Sequence, residues 1–408
     1  MAATTVVKTI GATGTFSTVQ LWEDGAPADL TTAERSACGT FLVAAFVQGE
    51  ALTFVGSGAT GVMLDTDSTG PGTGTYMTYG ITLGNPAASD VITGTSTATC
   101  VLTSGTPDFT GVVWQGQCQN QVFTVAGTVL TVSGSTNSTT AYKELTTVSG
   151  ASFRDAFTSV PDKALRYNTA NGAALDCTSN TGLAVFLNET NTVKLSNLQV
   201  TGSNTNGRAI NAGGVTSVIS NCIFDGRYAV VSTGNGVAAC GNNVTWINCL
   251  IIQRASASDH IFATGTSSPT FRNCTFVAGD DLATAPTSIF SSGLSGAITA
   301  QNCGMFAGDS TKAIIGGSAT GAFTTCASDI SGAAGVTQVT YNQEFQDVND
   351  ATGDYRLRPG ASQINAGTVD MTNASTDIVG TARPKGPSYD IGAWEFIPGP
   401  TLWAGGMI

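Results

Sequence analysis

Four aspartates in the second half of the chain stand at repeating distances behind cysteines. Asp225 lies three residues after Cys222, and Asp329 lies three after Cys326. Asp280, followed by Asp281, and Asp309 each lie six after a cysteine, and Arg227 and Arg254 each lie five after one. Two carboxylates held about 5–9 Å apart can hydrolyse a glycosidic bond. Carboxylates mixed with basic groups suit elimination from a uronide. Asp and Gly also favour turns, so solvated turn residues are the plainer reading of the same pattern. Asp259 precedes His260, the single histidine and so the one possible imidazole base. Glycine-rich phosphate loops, nucleophile elbows and zinc motifs are absent from the sequence.

The cysteines in front of these residues belong to a repeat. A short β-branched or aromatic run, then Asn-Cys, then another apolar run recurs at Asn221-Cys222, Asn248-Cys249, Asn273-Cys274 and Asn302-Cys303. Asn197-Leu198 opens the series and Thr325-Cys326 closes it. From 197 to 325 the steps are 24, 27, 25, 29 and 23 residues, a mean of 25.6. A period in the twenties with several short strands per unit indicates a solenoid. Leucine-rich repeats share the period, but their Leu-x-x-Leu-x-Leu framework is missing.

The expected fold is therefore all-β: a right-handed parallel β-helix with about 25 residues per coil, each coil about 4.8 Å above the last. Equivalent residues then stack. The asparagines form an amide ladder at a bend, and Cys222, Cys249, Cys274, Cys303 and Cys326 form a thiol column beside it. Stacked at about 4.8 Å, their Cβ atoms exceed the roughly 3.8 Å of a relaxed disulfide, so they read as free, buried and small hydrophobes. No CxxC pair occurs among them, which argues against a metal. Cys100 and Cys118 are close enough in sequence to be neighbours across strands.

Composition agrees with sheet and turn. Only 11% of the 408 residues are charged, and 50 are glycine. Net charge is −12, which opposes nucleic-acid binding. No apolar run is long enough to span a bilayer. Met1–Lys8 lacks a basic region followed by an apolar segment, so the expectation is a chain made and first folded in a cytoplasm. No cofactor is expected.

The ends differ from the middle. Residues 16–24 are the best helix candidate, with Ser17 or Thr18 as cap and Val19 and Trp22 on one side. This short helix is expected to cap the solenoid. The expected division is an N-terminal cap with first coils over 1–55, then an inserted β-subdomain or irregular coils over 56–118. The β-helix follows over 119–350, and a C-terminal β closing module and tail over 351–408. Within the module, Asp390–Phe396 alternates and suits a strand, and Arg383, Asp390 and Glu395 are expected to pair. The tail places Leu402 and Trp403 where they could dock on a partner.

The runs Asp354–Ser362, Ile364–Gly367, Arg383-Pro384 and Asp390–Phe396 resemble the closing module of pectate-lyase-like parallel β-helix proteins. Gln363 stands where that pattern usually has Ala, and Trp394 precedes Glu395. The opening stretch, Thr9–Leu30, is similar to openings of bacteriophage β-helix proteins. The resemblance implies a virion component: a spike, fibre, collar or capsid-decoration protein. It would work in assembly or adsorption, as a homotrimer among other virion proteins, with a host-surface glycan as a further partner. The competing expectation is a polysaccharide-binding or polysaccharide-degrading tailspike, a lyase or glycoside hydrolase. That reading needs a groove of carboxylates and exposed aromatics, yet Trp246 and Phe271 sit in strand runs that look inward.

Overall fold

The computed structural model describes residues 3–398, apart from 43–44, 70–71, 104–108, 125–126, 160–162, 178–182, 190, 203–207, 213–215, 227–236, 241–242, 254–259, 265–267, 279–286, 292–295, 317–319 and 350–351. It divides into two compact units. One comprises Met1–Gln117, Val132–Thr146 and Asn188–Lys194; the other comprises Cys118–Thr131, Thr147–Leu187 and Leu195–Ile408.

The first unit opens with strand β1 (Thr4–Ile10) and helix α1 (Val19–Asp24). Thr18 caps α1, its hydroxyl accepting the Leu21 N–H at 3.1 Å. Val19 and Trp22 are buried on one side, as the spacing predicts. Then follow β2 (Glu34–Leu42), β3 (Ala51–Val55), β4 (Thr60–Thr66), β5 (Tyr76–Leu83), β6 (Val91–Gly94), β7 (Thr99–Leu102) and β8 (Phe109–Thr110). These seven strands form one antiparallel sheet in the order β5-β4-β3-β6-β7-β2-β8. The sheet thus begins at Glu34, ahead of the segment 56–118 expected from sequence. Alternation sorts its side chains: β3 reads exposed-buried-exposed-buried-exposed, and Leu52 and Phe54 enter the core.

The second unit is the parallel β-helix that the repeat predicts. One column of parallel strands runs from Val122–Phe123 through Ala174–Asp176, Gln199–Thr201, Ile223–Asp225, Leu250–Gln253, Thr275–Ala278 and Gly304–Phe306 to Cys326–Ser328 and Val336–Gln338. A second column includes Val185–Leu187, Ile210–Ala212, Ala238–Cys240, His260–Thr264, Ser288–Phe290 and Ala313–Ile315. A third includes Val218–Ser220, Thr245–Ile247, Thr270–Arg272, Ala297–Gln301 and Thr320–Thr324. Each coil passes from the third column through the Asn-Cys bend into the first, and then by a turn into the second.

The bend explains the asparagines. Asn197, Asn221, Asn248, Asn273 and Asn302 have φ of +62°, +52°, +51°, +50° and +52°. Asn enters this left-handed region more readily than other side-chain-bearing residues. Thr325 takes the same conformation at +49°, which a β-branched residue adopts only under strain. The reversal costs no ladder hydrogen bond. Asn221 N donates to Ile247 O and Leu250 N to Cys222 O, and the pattern recurs one coil further on from Asn248 and Thr275.

Inside the coils, Phe224, Trp246, Phe262, Phe271, Phe276 and Phe290 interlock, with ring centroids 5.0–6.2 Å apart, and all are fully buried. Trp246 and Phe271 do look inward.

After the coils, Phe345–Asp347 and Asp354–Leu357 pair antiparallel. Asp390–Phe396, expected as a strand, is not one. Gly392 at φ +103° breaks the extended run, and its neighbours donate to scattered acceptors. Ile391 N reaches Gln363 O, Gly392 N reaches Asn302 O, Ala393 N reaches Thr275 Oγ1, and Glu395 N reaches Asp377 Oδ2. Apolar alternation here reflects insertion of the segment against the coils, with no ladder partner.

Candidate functional site

The turn leading from the first column to the second carries the aspartates. Asp225 ends the strand Ile223–Asp225, Asp329 follows Cys326–Ser328, and Asp309 lies in the turn after Gly304–Phe306. The topology therefore gathers them on one edge of the stack, as the matching offsets predict. Asp280, Asp281, Arg227, Arg254 and Asp259 lie outside the described residues.

The side chains have separate fates. Asp225 is a strand residue only 1% exposed, between Thr201 and Ile252 in the ladder. It is not the solvated turn residue expected, because the strand runs one residue further than the apolar pattern suggested. Asp309 accepts the Thr311 N–H at 2.9 Å and its hydroxyl at 2.7 Å. Those bonds hold its carboxyl below the ordinary carboxylate range. Asp329 is buried, and Oδ1 accepts the Ala307 N–H at 3.0 Å. Burial, then the Asp309 charge, push its carboxyl up, against the N–H groups of Ala307 and Gly308.

From Asp225 to Asp309 is three coil steps, roughly 14 Å at about 4.8 Å each, beyond the reach of paired catalytic carboxylates. Asp309 and Asp329 are one step apart, with pKa values pushed in opposite directions, an arrangement that can divide acid and base roles. Asp329, however, points at the backbone of the preceding coil, where it accepts the Ala307 N–H. His260 is 5% exposed, opens the strand His260–Thr264 and pairs with Ser288 in the ladder. Among the described residues no group of three or more His, Cys, Asp or Glu could hold a metal ion, and no helix is long and apolar enough to cross a membrane.

The Asn-Cys column is the most ordered feature of this face. Thiols of Cys222, Cys249, Cys274, Cys303 and Cys326 each donate to the carbonyl two residues earlier, at 3.2–3.4 Å. All ten cysteines are free and buried. Burial pushes the Cys222 thiol up to about 12 and is the largest cause raising Cys274 and Cys303 well above the ordinary value. The column is chemically inert.

The amide ladder is discontinuous. Asn248 Nδ2 donates to Asn221 Oδ1 and Asn302 Nδ2 to Asn273 Oδ1, both at 3.2 Å. Between Asn248 and Asn273 the expected bond is missing: Asn273 Nδ2 and Asn248 Oδ1 have no partner among the described residues, while Asn273 Oδ1 accepts from Arg383 Nη1 at 3.2 Å. The spare amide capacity holds the closing segment instead. Asn248 donates to Thr376 O at 2.7 Å and Asn302 to Thr368 O at 2.6 Å, while Thr368 N returns a bond to Asn302 Oδ1 at 2.8 Å.

Arg383, Asp390 and Glu395 do gather, and Asp377 joins them. Arg383 Nη2 donates to Gly392 O at 2.8 Å, and Nε lies 3.8 Å from Glu395 Oε2. Asp377 accepts the N–H groups of Val379, Thr381 and Glu395. Burial pushes Asp390 up to about 6, against donors from Asn365 and Phe396. These charges bind the module to itself and to Asn273, and none faces a cleft.

Two concavities escaped the sequence because their walls are distant in the chain. In the first unit a cavity of about 680 Å³ is lined by Phe16, Pro27, Met63 and Ile81 among others. Its acids are engaged: Asp24 accepts from Gln20 at 2.9 Å, and Asp29 from Thr31. In the second, a polar hollow of about 340 Å³ is lined by Ser152, Arg154, Asp155, Asn197 and Gly380. Arg154 there donates to Asn197 Oδ1 at 2.9 Å. Cys100 and Cys118, close enough in sequence to be neighbours across strands, stand in different sheets; the neighbour of Cys100 is Cys38, with sulfurs 3.4 Å apart. The register of β2 with β7 decides this.

Comparison with known proteins adds little. No family model matches the chain, and no curated protein matches it. A solved structure, that of pectate lyase Pel9A, is similar at 12% identity with a TM-score of 0.29, over 70% of this chain and 88% of that one.

Proposed function

We propose that the chain is a structural component of a bacteriophage virion: a spike, fibre, collar or capsid-decoration protein with a role in assembly or adsorption. The observation that carries the non-catalytic part is that the described aspartates of this edge are either buried or held by backbone N–H groups. Asp225 is a buried strand residue, Asp309 holds its own turn, and Asp329 holds Ala307. The buried aromatic stack points the same way, since its rings are withheld from sugar stacking. The viral part rests on the opening stretch Thr9–Leu30. On this reading the protein acts as a homotrimer beside other virion proteins, with a host glycan as the ligand of adsorption.

The test pairs location with activity. Antibodies against the chain should label purified phage particles, and native mass spectrometry should give three copies. Incubation with capsular and O-antigen polysaccharides should release neither reducing ends nor unsaturated uronides. Release that is abolished by Asp309→Asn with Asp329→Asn would overturn the reading in favour of a degrading tailspike.

A further inference from the structure

In the antiparallel sheet, Cys38 of β2 stands opposite Leu102 of β7, and Phe41 stands opposite Cys100, with a register shift between the two pairs. Gly39 and Thr40 therefore oppose Val101 alone, which is a β-bulge. Diagonal neighbours in a regular ladder lie about 7–8 Å apart. The bulge draws these two together until the Cys100 thiol donates to Cys38 Sγ at 3.4 Å. Both sulfurs enter the same core as Phe41, Leu52, Met77 and Ile92. Cys38 is 7% exposed and Cys100 is fully buried, so of the two residues only Cys38 retains any exposure.

We propose that Cys38 and Cys100 are an oxidisable pair, closing to a disulfide within the folded sheet when a small-molecule disulfide is present. The sulfurs need to approach by about 1.4 Å to reach the bonded distance of about 2.05 Å. The Cys38 thiolate attacks the external disulfide, forming a mixed disulfide and releasing one thiol. Cys100 then loses its proton to solvent and attacks Cys38 Sγ, expelling the second thiol. Two protein thiols and one external disulfide become one protein disulfide and two external thiols. The new bond encloses β3 to β6 and pins β2 to β7, which constrains the unfolded sheet most where the closed loop is long.

The column cysteines provide the contrast. They stack at the coil spacing, about 4.8 Å against the roughly 3.8 Å between Cβ atoms that a disulfide wants. The inference is independent of where the protein works.

The test is peptide mapping of the full chain after native incubation with oxidised glutathione, with free thiols trapped by iodoacetamide before digestion. The expected result is one cross-linked peptide pair joining Cys38 to Cys100, lighter by two hydrogens, while the column cysteines remain free thiols. Protease half-life of the segment 34–110 should lengthen by at least about tenfold. Cys38→Ser and Cys100→Ser should each lose both effects. Recovery of both cysteines as alkylated thiols, or a scrambled set of partners, overturns the proposal. The wild-type map decides this even if a serine variant fails to fold.

Discussion

Replacing Lys143 by Met tests what holds the first unit together. The Lys143 ammonium is 1% exposed and lies 2.6 Å from Glu23 Oε1 and 2.9 Å from Glu189 Oε1. It also donates to Ser133 O at 3.0 Å. Glu23 comes from α1, and Glu189 accepts the Ser135 N–H, so one cation ties three separate stretches of chain. Breaking a buried pair by removing one partner costs about 3–5 kcal/mol. Here two carboxylates would be left behind.

The expected loss in Lys143→Met is therefore about 3–5 kcal/mol. Amide exchange over Val19–Asp24, residues 132–146 and residues 188–194, corrected for intrinsic rate, reads the local stability. The triple variant adding Glu23→Gln and Glu189→Gln should recover most of it, since uncharged replacements of buried triads are often well tolerated. A loss below about 1 kcal/mol, or no recovery in the triple variant, refutes the reasoning.

Three further outcomes follow from the second unit. Asn248→Ala places a side-chain methyl at φ +51° and deletes the bond to Thr376 O, which predicts about 2–4 kcal/mol. Asn248→Gly keeps the dihedral and loses only the bonds, about 1–2 kcal/mol, so equilibrium unfolding in urea should rank Gly above Ala. Trp246→Ala opens a void in the aromatic stack and should cost about 3–5 kcal/mol, read by the same unfolding curves. The closing module should gain stability as pH falls from 7 through about 6, the value to which burial pushes Asp390. There the folded module binds a proton that the unfolded chain, with its aspartate near the ordinary value, does not, so stability rises on acidification until about pH 4. Amide exchange over Asn365–Phe396 that speeds up between pH 7 and 5, after correction, contradicts this.

Much of the second unit was legible because a solenoid repeats. Asn221, Asn248, Asn273 and Asn302 recur at coil length since each must take the same left-handed bend, and the cysteines follow because the position after the bend is small and buried. The aspartates share an edge for the same reason. The burial of Asp225 did not show, because the boundary between strand and turn shifts by one residue without changing the apolar pattern. The helix at Val19–Asp24 was legible from its cap.

What the sequence alone determined is thus whatever one coil imposes on the next: period, bend, column and inward aromatics. Tertiary structure decided what single, distant encounters impose. Lys143 meets Glu23 across 120 positions, Cys38 meets Cys100 across 62, and Arg383 meets Asn273 across 110. None of these pairs repeats, so no periodicity announces it. Each arises only because buried charges, thiols and amides must find partners once the backbone has carried them out of water.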